Sequence, residues 1–233
     1  MILLAHKPSW RTSHDVVQHI KYITRSKKCG HAGTLDPMAS GLMILATDAD
    51  TPKLHGLVWH DKSYRAIIDL SVMSDTWDYE YRSHWIEYSY TLSDITIDSI
   101  VKPRPHISDI QHYLNELVQN QKPELPVPPF SAKKVSGKTR YENARKGIMD
   151  IVYQPMSIYD IQIIWYEPPL LTIDCHVGSG TYIRSIAYRL GQKLGIWGVL
   201  KSLVRTNIGE YNLGQVAETP VWSKIAFVEI SVL

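Results

Sequence analysis

Hydrophobic residues change their period several times along the chain, and each change marks an element. Val16, Val17, Ile20 and Ile23 recur at helical spacing behind Thr12 and Asp15. That spacing predicts an amphipathic helix capped by Thr12 and ending near Ile23. Residues 27–41, KKCGHAGTLDPMASG, break the pattern with three glycines and one proline. They read as a loop, and an apolar strand from Leu42 to Ala46 follows. Tyr64, Ala66, Ile68, Leu70 and Val72 alternate strictly, as a half-buried strand does. Ile107, Ile110, Leu114, Leu117 and Val118 mark a second helix. Residues 122–140, KPELPVPPFSAKKVSGKTR, hold four prolines and one glycine, so they read as a long ordered loop or lid. Leu171, Ile173, Cys175 and Val177 alternate as a strand that runs into Gly178-Ser179-Gly180. A helix bearing Ile183, Ile186, Ala187, Leu190 and Leu194 follows, closed by Gly195. Strands and helices mix without a βαβ repeat. The expected fold is therefore α+β around a mixed, largely antiparallel sheet. There is no internal repeat and no composition break, so residues 1–233 are expected to form a single domain.

Composition narrows the class more than the function. The chain is 44% hydrophobic and 21% charged, which separates it from disordered sequences. No apolar run approaches the roughly 18 residues of a membrane helix. The opening MILLAHKPSW is unlike a secretory signal, and Cys29 and Cys175 form no CxxC pair, so the expectation is a cytoplasmic protein with free thiols. A net charge of +2 is too small to indicate nucleic acid. Its distribution says more: from Lys133 to Lys146 there are six Lys or Arg against one acid, Glu142, while the region from Asp69 to Asp98 is acidic. A local basic strip suits phosphate gripping, although a solvated loop and helix face gives the same pattern.

Several chemistries lack their motif. The third glycine of a dinucleotide fingerprint starting at Gly178 would fall on Ile183. There is no GxxxxGK[ST], no HExxH or Cys/His ligand set and no GxSxG elbow, so neither a metal nor a cofactor is expected. Asp36 remains, an acid in a Gly- and Pro-constrained loop where the backbone can aim a carboxylate; an Asx turn in Leu-Asp-Pro is the plainer alternative. Arg184 falls in the first turn of a helix, where the dipole does not favour a cation, so another partner should hold it. Tyr64 begins an apolar strand face, as a core residue or as a platform for a base.

Five segments in order change the weight of these readings. HKPSWRTSHDVV, GHAGTLDPMASGLMIL, KSYRAIIDL with SDTWD, PPFSAKKVSGKTRYENARKG, and GTYIRSIAYRLGQKLG with LVRTNIGEY resemble the TruB family of pseudouridine synthases from Lys7 to about Tyr211. The resemblance implies the pseudouridine synthase fold and cofactor-free isomerisation of the uridine at position 55 in the T arm of tRNA. It implies Asp36 as the catalytic aspartate, Tyr64 as the residue stacking on the target base and Arg184 as the arginine pairing with the carboxylate. His31 would enter the T loop, and Leu203 would line the base pocket; Lys7, Pro8 and Gly30 would act as support. Residues 122–147 would be the RNA-clamping insertion, with Lys133, Lys134, Lys138, Arg140 and Lys146 on the RNA. The implied partner is the tRNA T stem-loop, with no membrane, no obligatory protein partner and a monomeric state. The sequence departs from the family pattern at Ser71, Ser74-Asp75-Thr76, Ser179 and Val204, changes expected to touch RNA grip more than chemistry. The chain stops soon after LVRT, so the C-terminal RNA-binding PUA-type domain of bacterial members is expected to be missing.

Overall fold

A computed structural model describes residues 1–79, 104–135, 137–144, 146–147, 150–216 and 225–230. In chain order the elements are β1 (Ile2–Lys7), α1 (Ser13–Thr24), β2 (Cys29–His31), β3 (Ser40–Thr47), α2 (Leu54–Leu57), β4 (Lys62–Asp69), α3 (Ile107–Asn120), β5 (Glu124–Pro126), β6 (Lys134–Val135), β7 (Lys138–Thr139), α4 (Arg140–Ala144), β8 (Tyr153–Pro155), β9 (Ile158–Glu167), β10 (Leu170–Val177), α5 (Ile183–Lys193), β11 (Val199–Ile208), β12 (Tyr211–Asn212) and β13 (Phe227–Ile230). The chain divides into two compact units, one of Met1–Arg65, Cys175–Ser179 and Leu203–Leu233, the other of Ala66–Asp174 and Gly180–Ser202. Of the acidic region expected from Asp69 to Asp98, the part beyond residue 79 lies outside the described residues.

The first unit is built on the strand order β13-β1-β3-β11, with β2 paired to β3 and β12 to β11. β1 runs antiparallel to β13 and to β3, while β11 runs parallel to β3 with Arg205 opposite Gly41. Leu3, Leu4 and Ala5 of β1 are all buried, so both faces of this strand are covered and it shows no alternation. This explains why period-two reading passes over it. α1 starts at a capping box in which Thr12 Oγ1 accepts from Asp15 N at 3.0 Å and the Asp15 carboxylate accepts from Thr12 N at 2.8 Å. The reciprocal pair satisfies two donors that the helix start would otherwise leave open. Its buried face is Val16, Val17 and Ile20, and Leu42, Ile44, Leu54, Leu57 and Ile208 form an adjoining apolar cluster.

In the second unit the order is β4-β10-β9. α3 lies on β9 and against α5, burying Ile110, Tyr113, Leu114 and Leu117. α5 buries Ile183, Ile186, Ala187 and Leu190, and Gly195, just past its cap Leu194, takes the left-handed conformation at φ 66°. The expected lid between residues 122 and 140 is not structureless: β5 pairs with β8, and β6 with β7. Two further boundaries differ from the sequence reading. The glycine-rich loop opens with a strand, because Cys29, Gly30 and His31 pair with Thr47, Ala46 and Leu45. β4 stops at Asp69 rather than Val72, because the Asp69 carboxylate accepts from Ser71 N at 2.9 Å and from Ser71 Oγ at 2.6 Å, closing a turn. No helix among the described residues is long and apolar enough to cross a membrane.

Gly41 is the tightest joint of the first unit. Its φ is 116°, and a Cβ there would lie 2.3 Å from the Arg205 carbonyl oxygen. Gly195 has a left-handed φ of 66° but open space around its Cβ position. Gly41→Ala should therefore cost roughly 3 kcal/mol or more, against about 1 kcal/mol for Gly195→Ala. Urea unfolding of both variants checks this; equal costs would mean that the close approach does not constrain Gly41.

Candidate active site

Asp36 lies in the connection from β2 to β3, residues 32–39. Four side chains of this connection, Ala32, Leu35, Met38 and Ala39, are buried, whereas Thr34 is exposed and Asp36 half-buried. The small apolar residues that made the segment look like a plain loop are its anchors. Ser13 Oγ, in the first turn of α1, donates to Leu35 O at 3.0 Å and accepts from Leu35 N at 2.9 Å. Ala39 N donates to Asp36 O at 3.1 Å, closing a turn around the acid.

Two buried cations complete the frame. Lys7 is fully buried, and its Nζ reaches the carbonyls of Pro8 and Pro37 at 3.1 Å and those of Arg11 and Ala39 at 2.5 Å. Arg205, 1% exposed, donates from Nε to Leu42 O at 2.7 Å, from one terminal nitrogen to Gly33 O at 3.2 Å and from the other to Thr34 O at 3.5 Å. Together they hold carbonyls on both sides of Asp36. Such burial is tolerable because each charged group finds hydrogen-bond acceptors. The role of Arg205 was not read from the sequence, although LVRT contains it; Lys7 was expected to act as support.

Tyr64 on β4 and Leu203 on β11 are buried in this same unit, and Leu203 precedes Arg205 by two residues, so both point to one face. Burial raises the Tyr64 phenol above its ordinary value, and the Arg205 guanidinium, hydrogen-bonded to it, opposes the rise. The Asp36 charge also acts on this phenol, which places residues 36 and 205 each within electrostatic reach of Tyr64. His31 Nδ1 accepts from Gly33 N at 3.2 Å, which leaves the proton on Nε2 of the neutral ring. Burial first, then the charges of Arg205 and His14, lower the His31 value.

Lys62, buried on the same strand face as Tyr64, was not singled out from the sequence. Its Nζ donates to Val58 O at 2.7 Å, to His60 O and to Ser179 Oγ at 3.3 Å. Burial, and secondarily the Arg205 charge, push it from its ordinary 10.5 down to about 8. Ser179 Oγ in turn donates to Val58 O at 2.8 Å. Ser179, a departure from the family pattern, is thus part of a lysine cradle.

The second unit holds the other predicted residues. Arg184 is 3% exposed, and one terminal nitrogen donates to Thr76 O at 3.0 Å and lies 3.4 Å from a carboxylate oxygen of the fully buried Asp78. The partner that a cation in the first turn of α5 requires is thus supplied by the SDTWD segment. Thr76 Oγ1 donates to Asp78 Oδ1 at 2.7 Å, and Asp78 N donates to Ser74 Oγ at 3.1 Å. Ser74 and Thr76, read as RNA-facing departures, are internal supports of this pair. Trp77, at φ 62°, stacks on Tyr188 with ring centroids 4.0 Å apart. On the basic strip Lys134, Lys138 and Lys146 are exposed, and Lys133 is half-buried with its Nζ on Gln154 Oε1. Arg140 is a correction: only 5% exposed, it donates to Pro128 O at 3.1 Å and Asp150 O at 2.6 Å, so it braces the insertion from within instead of offering charge at its surface.

A strand-bound acidic loop framed by buried cations, in an α+β fold, has counterparts among known proteins. The protein-family model described as TruB family pseudouridylate synthase, N-terminal domain, matches residues 21–183. The tRNA pseudouridine synthase B of Chlamydia abortus is 36% identical over 215 residues, covering 92% of this chain and 85% of that protein. The enzyme of the same name from Ureaplasma urealyticum is 34% identical over 220 residues, covering 93% and 90%. The archaeal box H/ACA sRNP Nop10-Cbf5 complex contains a chain of the same fold, with a TM-score of 0.58 at 22% identity over 91% of this chain; this chain spans 48% of that one. The fold is that of the pseudouridine synthases. The chain belongs to the TruB family of pseudouridylate synthases.

The depressed Lys62 value has a stability signature. Between about pH 8 and 10.5 the unfolded chain keeps the Lys62 proton while the folded chain has released it. Stability rises with pH wherever the unfolded state binds more protons. Lys62→Met loses this contribution, so the stability of the natural protein relative to the variant should increase from pH 7.5 to 10. Urea unfolding across this range tests it, and a pH-independent difference would contradict the buried, readily deprotonated lysine.

Proposed function

We propose that this enzyme converts the uridine at position 55 in the T arm of tRNA to pseudouridine, with Asp36 as its catalytic carboxylate. The observation that carries the reading is the frame around residue 36. Lys7, Ser13 and Arg205 bind backbone groups on both sides of it, and the acid itself is left at the half-exposed turn. Fixing a backbone while keeping one carboxylate accessible is what a catalytic acid needs, and an ordinary Asx turn does not require buried cations.

The reaction breaks the bond from ribose C1′ to uracil N1 and forms one from C1′ to C5, with the C5 proton lost and N1 protonated. No electrons are exchanged, so the reading calls for no cofactor. The carboxylate acts by attack at C1′, by attack at C6, or by removing a ribose proton through a glycal; all three need an extruded nucleotide and a trapped base. Tyr64 supplies an aromatic face and Leu203 an apolar wall. The neutral His31 is suited to insertion among bases, since it carries no charge to desolvate. Arg184 belongs to the substrate-binding set by its place in the GTYIR motif, with Asp78 holding its guanidinium in position. Lys134, Lys138 and Lys146 grip phosphates without reading sequence, and specificity comes from the folded T-loop shape.

Asp36→Asn should lower tritium release from a C5-tritiated T-arm transcript by roughly a thousandfold or more while RNA binding changes little. Activity retained in this variant rules out the assignment. Changing Lys134, Lys138 and Lys146 together to Ala should reduce the slope of log Kd against log salt by about 2, since each lost phosphate contact removes roughly 0.7–0.9. An unaltered slope would show these lysines to be solvated bystanders.

A further inference from the structure

One exposed aromatic residue is held in a conformation that its own chemistry disfavours. Trp10 has φ 64°, in the left-handed region, and its side chain is 54% exposed. A bulky side chain in that region is strained, because Cβ crowds the backbone, and such strain persists only where the surroundings impose it. Here they do. Trp10 N donates to Pro37 O at 2.7 Å, and Lys7 Nζ binds the carbonyls of Pro8 and Arg11 on one side and of Pro37 and Ala39 on the other. The strained turn is thereby joined to the loop that carries Asp36, one residue from the acid. Had the indole been buried, core packing would account for it. Among the described residues, the other exposed aromatic residues, such as Tyr22 at 82%, have neither the strained backbone nor this attachment.

We propose that Trp10 is a stacking platform for an unpaired base of the RNA substrate, fixed beside the Asp36 loop. The proposal rests on Asp36 marking the site of reaction on RNA. An indole offers a rigid, sequence-tolerant face to any base. The exposed Arg11 next to it supplies a cation for the phosphate that accompanies that base. The left-handed turn directs the ring outward, and a glycine would satisfy the same backbone with less strain, which gives the test its contrast.

The T stem-loop RNA is bound to Asp36→Asn protein carrying Trp10, Trp10→Phe, Trp10→Leu or Trp10→Gly, with melting temperatures measured alongside. The Gly and Leu variants should bind about tenfold more weakly, the Phe variant within about threefold of the parent, and the Gly variant should melt no lower than the parent. In the active background the same loss should appear in KM, with kcat at saturation little changed. Unchanged binding by Trp10→Gly, equal binding by the Leu and Phe variants, or a clear drop in melting temperature with Trp10→Gly would each overturn the platform. Turnover by the Asp36→Asn parent would instead overturn the catalytic assignment, and the binding series would still read the platform.

Discussion

A loop that presents a carboxylate cannot also bury it, so such a loop has to be shaped by something other than the side chain that matters most. In this protein the shaping is done by backbone carbonyls bound to buried cations. Arg205 and Lys7 are among the largest fully buried side chains of the molecule, and their hydrogen bonds run to main-chain oxygens of residues 8, 11, 33, 34, 37, 39 and 42. Carbonyl acceptors satisfy the donors but carry no formal charge of their own. Removing either cation would take a donor from buried and part-buried carbonyls, at about 1–3 kcal/mol for each buried one left unsatisfied. The sheet depends on the same joint, since Gly41 admits the Arg205 backbone as closely as it does only because it lacks Cβ.

The second unit solves a related problem with an opposite charge. Arg184 stands where a helix dipole disfavours a cation, and Asp78 compensates from a turn held by Ser74 and Thr76. Breaking one partner of such a pair is far more damaging than its net contribution suggests, because the other is left buried and charged. The pair is better understood as a device for fixing the guanidinium than as a source of stability.

Much of this was readable in advance, and the failures have physical causes. Thr12 with Asp15, the alternation from Leu171 to Val177 and the closing Gly195 are local signals, and local signals survive folding. β1 was missed because successive residues on both of its faces are buried, which removes the alternation, and β11 because LVRT was read as a motif before it was read as a strand. Asp36 was singled out because glycine and proline punctuate its loop, and its role came from the family resemblance. Lys62, Asp78 and the bracing role of Arg205 were not, since a buried charged residue looks in sequence like any exposed one, and only its partners, distant along the chain, distinguish it. Arg140 failed for the same reason in reverse: its neighbours are basic and exposed, but its own guanidinium turns inward to Pro128 and Asp150.

The distribution of charge suggests a division between chemistry and grip. Around the Asp36 loop, where the proposed function puts the chemistry, the supporting cations are buried and multiply bonded. Where that proposal has phosphates only to be held, the lysines are exposed and sit on and beside the two-residue strands β6 and β7. Trp10 falls between these regimes. It is exposed like the lysines of the basic strip, but its backbone is locked like the Asp36 loop. That combination suits a contact that must be placed accurately and yet accept whichever base is stacked upon it.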